Sequence, residues 1–160
     1  MNEYKKLFKS FGYAFSGIFH CIKHERNLRI HLTCLTYMFS ILVFTDWFTL
    51  SRTDFAVLVV ASSTVVAAEI INSAVENAVN LASEEYSEYG RIAKDAAAGA
   101  VLVAAIFAVI TGIIIMFQPP AFLAMFNYFK ENLLMLLLMA LSIIPATIFI
   151  FWGIPFSKGK

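Results

Sequence analysis

Four stretches of the chain, at about 32–50, 55–80, 96–117 and 133–152, are each apolar over the length needed to cross a bilayer. A spanning helix takes about 20 such residues, because hydrocarbon offers the backbone no partner and only a hydrogen-bond ladder within the segment satisfies it. The pattern restricts the chain to an all-α membrane protein. Of 160 residues, 60% are apolar and 14% charged, against about 25% charged in an ordinary soluble domain. A disordered chain is excluded on these grounds. A net charge of +1 gives no general attraction to polyanions, so no nucleic-acid partner is expected. The first 30 residues interleave lysines with phenylalanines, unlike a secretory signal. Cys21 and Cys34 are too few for a disulfide framework and are expected as buried thiols.

Lys and Arg counted between the spans give an orientation without help from any motif. The segment before the first span holds six (Lys5, Lys6, Lys9, Lys23, Arg26, Arg29), the loop between the second and third spans two (Arg91, Lys94), and the tail two (Lys158, Lys160). Arg52 and Lys130 stand on the other side, so the count is ten against two. The positive-inside rule then puts both termini and the middle loop in the cytoplasm. That face can meet ATP.

Within residues 4–24, Tyr4, Leu7, Phe8, Phe11, Phe15, Ile18, Phe19 and Ile22 recur at steps of three and four, the spacing of a helix with one apolar stripe. Lys5, Lys6 and Lys9 fall largely off it. Such a helix lies in the interface, its lysines near anionic headgroups and its aromatic side in the acyl boundary. A surface anchor with no chemistry has the same periodicity. In the third span, Ala96, Ala100, Ala104, Ala108 and Gly112 form a small-residue stripe that lets another helix approach closely, within or between subunits. Pro119 and Pro120 are expected to end that helix, the segment to Asn132 to cross the outer side, and Pro145 to kink the fourth span.

Glu69, Asn72 and Glu76 interrupt a second span that otherwise reads as lipid-soluble. At 100° per residue, they and Asn80 fall within one arc of about 80°. Glu69 lies roughly 22 Å along the helix from Asp54, in the cytoplasmic half of the bilayer. An acid near mid-membrane costs about 2.5–3.5 kcal/mol on insertion scales, so two on one helix need protonation, a basic partner or a cation. Glu69 and Glu76 are about 10 Å apart by rise alone, which favours separate roles over one shared proton. Helix contacts between protonated or paired carboxylates would leave the same sequence trace.

Beyond them, residues 83–91 form a polar turn containing Glu85 and Ser87, followed by Lys94 and Asp95 at the mouth of the third span. A solvated loop accounts for its glutamates. Lys94 differs, because it sets an ammonium near the carboxylates at a helix start that also favours phosphate. Before the first span, Glu25 and Arg29 have the spacing of an ordinary i,i+4 pair. His24 and His31 lack the H-E-x-x-H spacing of a zinc site, and Mg²⁺ held by hard carboxylates such as Glu25 and Glu76 suits the composition better. Neither G-x-x-x-x-G-K-[ST] nor G-x-G-x-x-G occurs. Any phosphate chemistry rests on carboxylate, magnesium and lysine.

The block Glu69-Ile-Ile-Asn72-Ser73-Ala74-Val75-Glu76, the acidic turn, and Ala93-Lys94-Asp95 resemble the small prokaryotic integral-membrane lipid kinases, the diacylglycerol kinase and undecaprenol kinase family. Gly12-Tyr13, Gly17 and Glu25-Arg-Asn-Leu-Arg29-Ile-His31 extend the likeness, which covers about residues 5–117. The resemblance implies a homotrimer of three-span subunits in the bacterial cytoplasmic membrane, with surface helices and active sites shared between neighbours. Carried over by position, Glu69 is implied as general base, Asn72 as the residue orienting it or the substrate, and Glu25 and Glu76 as Mg²⁺ ligands. Lys94, Asp95, Glu85, Ser87 and Tyr13, with Lys6 at a basic position, are implied as nucleotide contacts. Asn80 departs from the pattern, standing where many members have aspartate. The fourth span exceeds the usual three. Residues 1–118 thus form the lipid kinase domain, and 119–160 an additional transmembrane helix and tail.

The function expected is ATP-dependent phosphorylation of a lipid alcohol held among membrane lipids. Undecaprenol is favoured because Glu25 to His31 looks like the undecaprenol kinase version, and diacylglycerol is the alternative. A non-catalytic ion or proton carrier, or a scaffold recruiting a partner through the fourth helix, is the alternative of another class. A carrier predicts acids spaced through several spans toward both faces.

Overall fold

The structure is a computed structural model and describes residues 3–82 and 87–153. Six helices follow one another: α1 (Glu3–His24), α2 (Arg26–Phe44), α3 (Arg52–Ala82), α4 (Glu88–Met116), α5 (Pro119–Glu131) and α6 (Leu133–Trp152). Four of them, α2, α3, α4 and α6, are long and apolar enough to cross a membrane. No strand occurs among the described residues. The chain is an all-α membrane protein, as its hydropathy requires.

Helix ends follow local chemistry more closely than hydropathy. Ser51 and Asp54 cap α3 reciprocally: Ser51 Oγ accepts from the Asp54 amide at 3.1 Å, and Asp54 Oδ2 accepts from the Ser51 amide at 2.9 Å. Ser87 caps α4, its Oγ accepting from the Gly90 amide at 3.4 Å. The first span differs from expectation at both ends, running through the charged segment from Arg26 and stopping at Phe44. Charge near a membrane surface does not stop a helix, whereas Asp46 within the apolar run falls in the nonhelical connection at 45–51. Pro119 and Pro120 do more than end α4. They open α5, where prolines are tolerated because their missing N–H groups have no intrahelical partner.

The most extensive helix contact is between α3 and α4. Gly90 belongs to it: a Cβ there would stand 3.0 Å from Val79 Cγ1, so glycine lets the first turn of α4 close onto α3. The small-residue stripe of α4 lines an open groove of about 590 Å³ with Ala61 and Thr64 of α3. On the opposite flank α2 lies against α3, and α6 packs on α2. Trp47 meets Tyr128 and Phe129, Phe48 meets Phe122, and the Gln118 amide joins the Thr49 backbone at both its N–H and carbonyl. These contacts hold α5 under the connection between α2 and α3. Along α1 the aromatic stripe is exposed, as an interfacial helix requires, and every residue from Leu133 to Leu141 of α6 is exposed for lipid. Cys21 is buried, but Cys34 is exposed on α2, correcting the expectation of two buried thiols.

One guanidinium ties the fourth span to the rest. Arg29 is 5% exposed and donates to the carbonyls of Ile22 at 3.0 Å, Lys23 at 2.9 Å and Ile150 at 3.0 Å. Two helix C-termini, each rich in unpaired carbonyls and negative in dipole, converge on this cation. The expected Glu25–Arg29 pair does not form; stronger demand for donors at those helix ends takes the side chain. Gly153 closes α6 at φ 71° and ψ −146°, a conformation open essentially to glycine, with Arg29 Nη1 3.6 Å from where a Cβ would stand. The Tyr37 hydroxyl and Ser142 Oγ, 2.8 Å apart, link α2 and α6 farther along.

Arg29→Met removes three hydrogen bonds from a charged donor and is expected to cost on the order of 3 kcal/mol. Gly153→Ala is expected to cost about 1–3 kcal/mol through its backbone conformation alone. Thermal unfolding in detergent micelles should put both midpoints below wild type, and an unchanged Arg29→Met midpoint would refute the junction's role.

Candidate active site

The polar residues of α3 do share a face, and tertiary packing divides it. Glu69, Asn72 and Ser73 are buried at 3%, 9% and 2% exposure, Glu76 is half-buried and Asn80 is exposed. Asn72 Nδ2 donates to Glu76 Oε1 at 2.9 Å, joining successive turns. Ser73 Oγ donates to the Glu69 carbonyl at 3.1 Å, and Asn77 Nδ2 to the Ser73 carbonyl at 2.8 Å. Asn72 Oδ1 is buried with no hydrogen-bond partner among the described residues. A buried acceptor without a donor costs about 1–3 kcal/mol, so this atom marks a place where a donor belongs.

The start of α2 supplies the opposing wall. His31 Nε2 lies 3.4 Å from Glu69 Oε1. Glu25 stands at the α2 N-cap, half-buried, with no capping bond from its side chain. The sequence singled out Glu69 and its need for compensation but passed over His31 as its partner. The available signal was a histidine in the first turns of a span that must pack beside an intramembrane carboxylate.

A second cluster forms where α3 meets α4. Lys94 Nζ donates to Asn80 Oδ1 at 2.7 Å, so the asparagine that replaces the expected acid still holds the lysine. Asp95 Oδ2 accepts from Arg91 Nη1 at 2.8 Å, and Ser87 is the α4 cap described above. Glu85 lies outside the described residues. On α1, Lys6 pairs with Glu3 at 2.8 Å, and Tyr13, 66% exposed, has Lys9 Nζ 5.7 Å from its ring centre. Among the described residues neither Lys6 nor Tyr13 has a hydrogen bond, ion pair or ring contact outside α1.

The α3 face joins a buried carboxylate, an amide oxygen unpartnered among the described residues, and the half-buried acid Glu76. An apolar groove of about 600 Å³ runs between α2 and α3 past Leu35, Phe39, Val59, Val66 and Ile70. No group of three or more His, Cys, Asp or Glu able to hold a metal ion occurs among the described residues. Carboxylates such as Glu25 and Glu76 are the donor type that Mg²⁺ accepts alongside water and phosphate oxygens.

Comparison with known proteins gives this geometry a context. The family model described as prokaryotic diacylglycerol kinase matches residues 12–116, from Gly12 in α1 to the last residue of α4, leaving α5 and α6 beyond it. A Synechocystis protein named diacylglycerol kinase is 38% identical over 114 residues, covering 71% of this chain and 63% of its own length. A Bacillus subtilis protein named undecaprenol kinase is 33% identical over 116 residues, covering 71% of this chain and 90% of its own. The chain thus spans somewhat under two thirds of the first relative. With four helices fit to span a bilayer, it is a bacterial inner-membrane protein and belongs to the prokaryotic diacylglycerol kinase family of lipid kinases.

Proposed function

We propose that the protein transfers the γ-phosphoryl group of ATP to the hydroxyl of a membrane lipid, with undecaprenol as the acceptor. The observation that carries this reading is the buried Glu69 carboxylate, with His31 Nε2 3.4 Å away on α2 and the bonded pair Asn72–Glu76 one to two turns on along α3. Glu69 takes the hydroxyl proton, the lipid oxygen bonds to the γ-phosphorus, and the bond from that phosphorus to ADP breaks. The tail lies in the α2–α3 groove, reached sideways from the bilayer. Asn72 Oδ1, buried without a donor, is placed to orient the hydroxyl.

Mg²⁺ held by Glu25 and Glu76 would neutralise phosphate charge there. Lys94, held to the end of α3 by Asn80, offsets charge developing on the transferred group. Asp95, Ser87 and Glu85 contact the nucleotide. Tyr13 and Lys6 do so in a homotrimer with sites shared between subunits; the open small-residue groove of α4, where another helix can approach closely, supports that assembly. The ten-to-two distribution of Lys and Arg supports a site on the cytoplasmic side.

Undecaprenol is favoured by the Glu25–His31 segment and by the match over 90% of the relative named undecaprenol kinase. Diacylglycerol is the second reading, from the relative with 38% identity. A proton carrier is disfavoured: the acids within the spans, Glu69 and Glu76, sit on α3 alone, with Asp54, Glu88 and Asp95 in the opening turns of their helices.

ATP labelled in its γ-phosphate, given to purified protein with undecaprenol, diacylglycerol or ceramide, should label undecaprenol fastest; label on none of them refutes the kinase reading. Glu69→Gln should lower kcat by about 10²–10⁴-fold, and near-normal turnover by the folded variant would remove Glu69 as the base. Glu76→Gln should raise the magnesium concentration needed for half-maximal rate. Single cysteines near either terminus should react with an impermeant reagent only after the cytoplasmic side is opened.

A further inference from the structure

A buried carboxylate that must accept a proton needs its rotamer fixed, and the groups around Glu69 leave one candidate for that task. Its side chain is 4% exposed, and the acids Glu25 and Glu76 offer it no cation. Arg29, two residues before His31, is committed to the carbonyls of Ile22, Lys23 and Ile150. Lys94 is committed to Asn80. His31, 29% exposed in its side chain, is the basic group beside Glu69 among the described residues, with Nε2 3.4 Å from Oε1.

Resting on the lipid-kinase reading above, we infer that His31 is the positioning residue for Glu69, its Nε2–H holding Oε1 so that Oε2 faces the lipid hydroxyl. Among the described residues no hydrogen bond engages Oε2. A contact of 3.4 Å exceeds the roughly 2.7–2.9 Å of a strong charge-assisted bond. Apart from substrate, bonds at catalytic groups are often long and tighten when the complex forms. Holding the carboxylate affects the chemical step and leaves ATP binding alone, because misplacing a reacting group by about 1 Å costs on the order of 10²-fold in rate.

The test compares His31→Phe, which keeps a ring and loses the donor, with His31→Gln, which keeps a donor at similar reach. Both are made in the full chain and assayed in lipid with ATP and undecaprenol, or with whichever alcohol the wild type phosphorylates. His31→Phe should lower kcat by about 10–100-fold with KM for ATP within about twofold, and His31→Gln should restore most of the rate. Thermal midpoints check folding, and His31→Met, also lacking the donor, replaces the Phe variant if that one fails to fold. Wild-type kcat in the donorless variant, or equal loss in a well-folded His31→Gln, overturns the inference. Glu69→Gln measured alongside separates the two claims: its near-normal turnover defeats the base assignment, whereas an inactive Glu69→Gln beside a fully active His31→Phe defeats only the role of His31. In the Glu69→Gln background His31→Phe should lower the residual rate no further, because the two residues act as one unit.

Discussion

A carboxylate inside a bilayer is the constraint around which the rest of the chain is arranged. Glu69 costs about 2.5–3.5 kcal/mol to place near mid-membrane, and Glu76 two turns on adds to it. The helix cannot neutralise that charge itself, because its one basic residue, Arg52, stands at the far end. Compensation comes from packing. α2 brings His31 to Glu69, Asn72 bonds Glu76, and the end of the polar face passes to α4 through Asn80 and Lys94. Neighbouring helices thus answer the two ends of this polar face, α2 at Glu69 and α4 at Asn80, while Asn72 and Glu76 bond each other within α3. The orphaned oxygen of Asn72 is the exception, and it lies within the same stretch.

A second buried charge has the opposite character. Arg29 is nearly as buried as Glu69, yet its donors are spent on backbone carbonyls. A guanidinium suits this work because its planar fork serves several acceptors at once and never loses its proton. Helix ends in a membrane protein have few other ways to satisfy their last carbonyls away from water. Of the two intramembrane charges, Arg29 thus serves the architecture, while near Glu69 in sequence Asn72 Oδ1 has no hydrogen-bond partner among the described residues.

Much of this was legible in the sequence, and what escaped it has a common cause. Hydropathy located the four spans, and helical periodicity placed Glu69, Asn72, Glu76 and Asn80 on one face. Both signals are local, as is the apolar stripe of α1. Partners across helices are not local: the Glu25–Arg29 spacing read as a pair while the side chain turned to Ile150, far away in the chain. His31 read as a solitary histidine until α2 lay against α3. Hydropathy likewise missed α5, whose mixed composition suits the rim of a membrane, and put the end of the first span at Leu50, past the Asp46 turn. Thiol burial at Cys34 failed because the residue faces outward from a helix whose outer environment is lipid.

The stretch matched by the family ends with α4, so α6 might be taken for an appendage, but its C-terminus is not placed like one. Ile150 and Gly153 rest on Arg29, which lies between Glu25 and His31 in the sequence, on the elbow where α1 gives way to α2. The same guanidinium holds the last carbonyls of α1. α6 therefore bears on the start of α2, the helix that carries His31, through Arg29, and farther along through Ser142 against Tyr37. A helix added outside the family's core has become part of the frame that sets the angle between the surface helix and the first span. The cost of losing it falls first on that elbow.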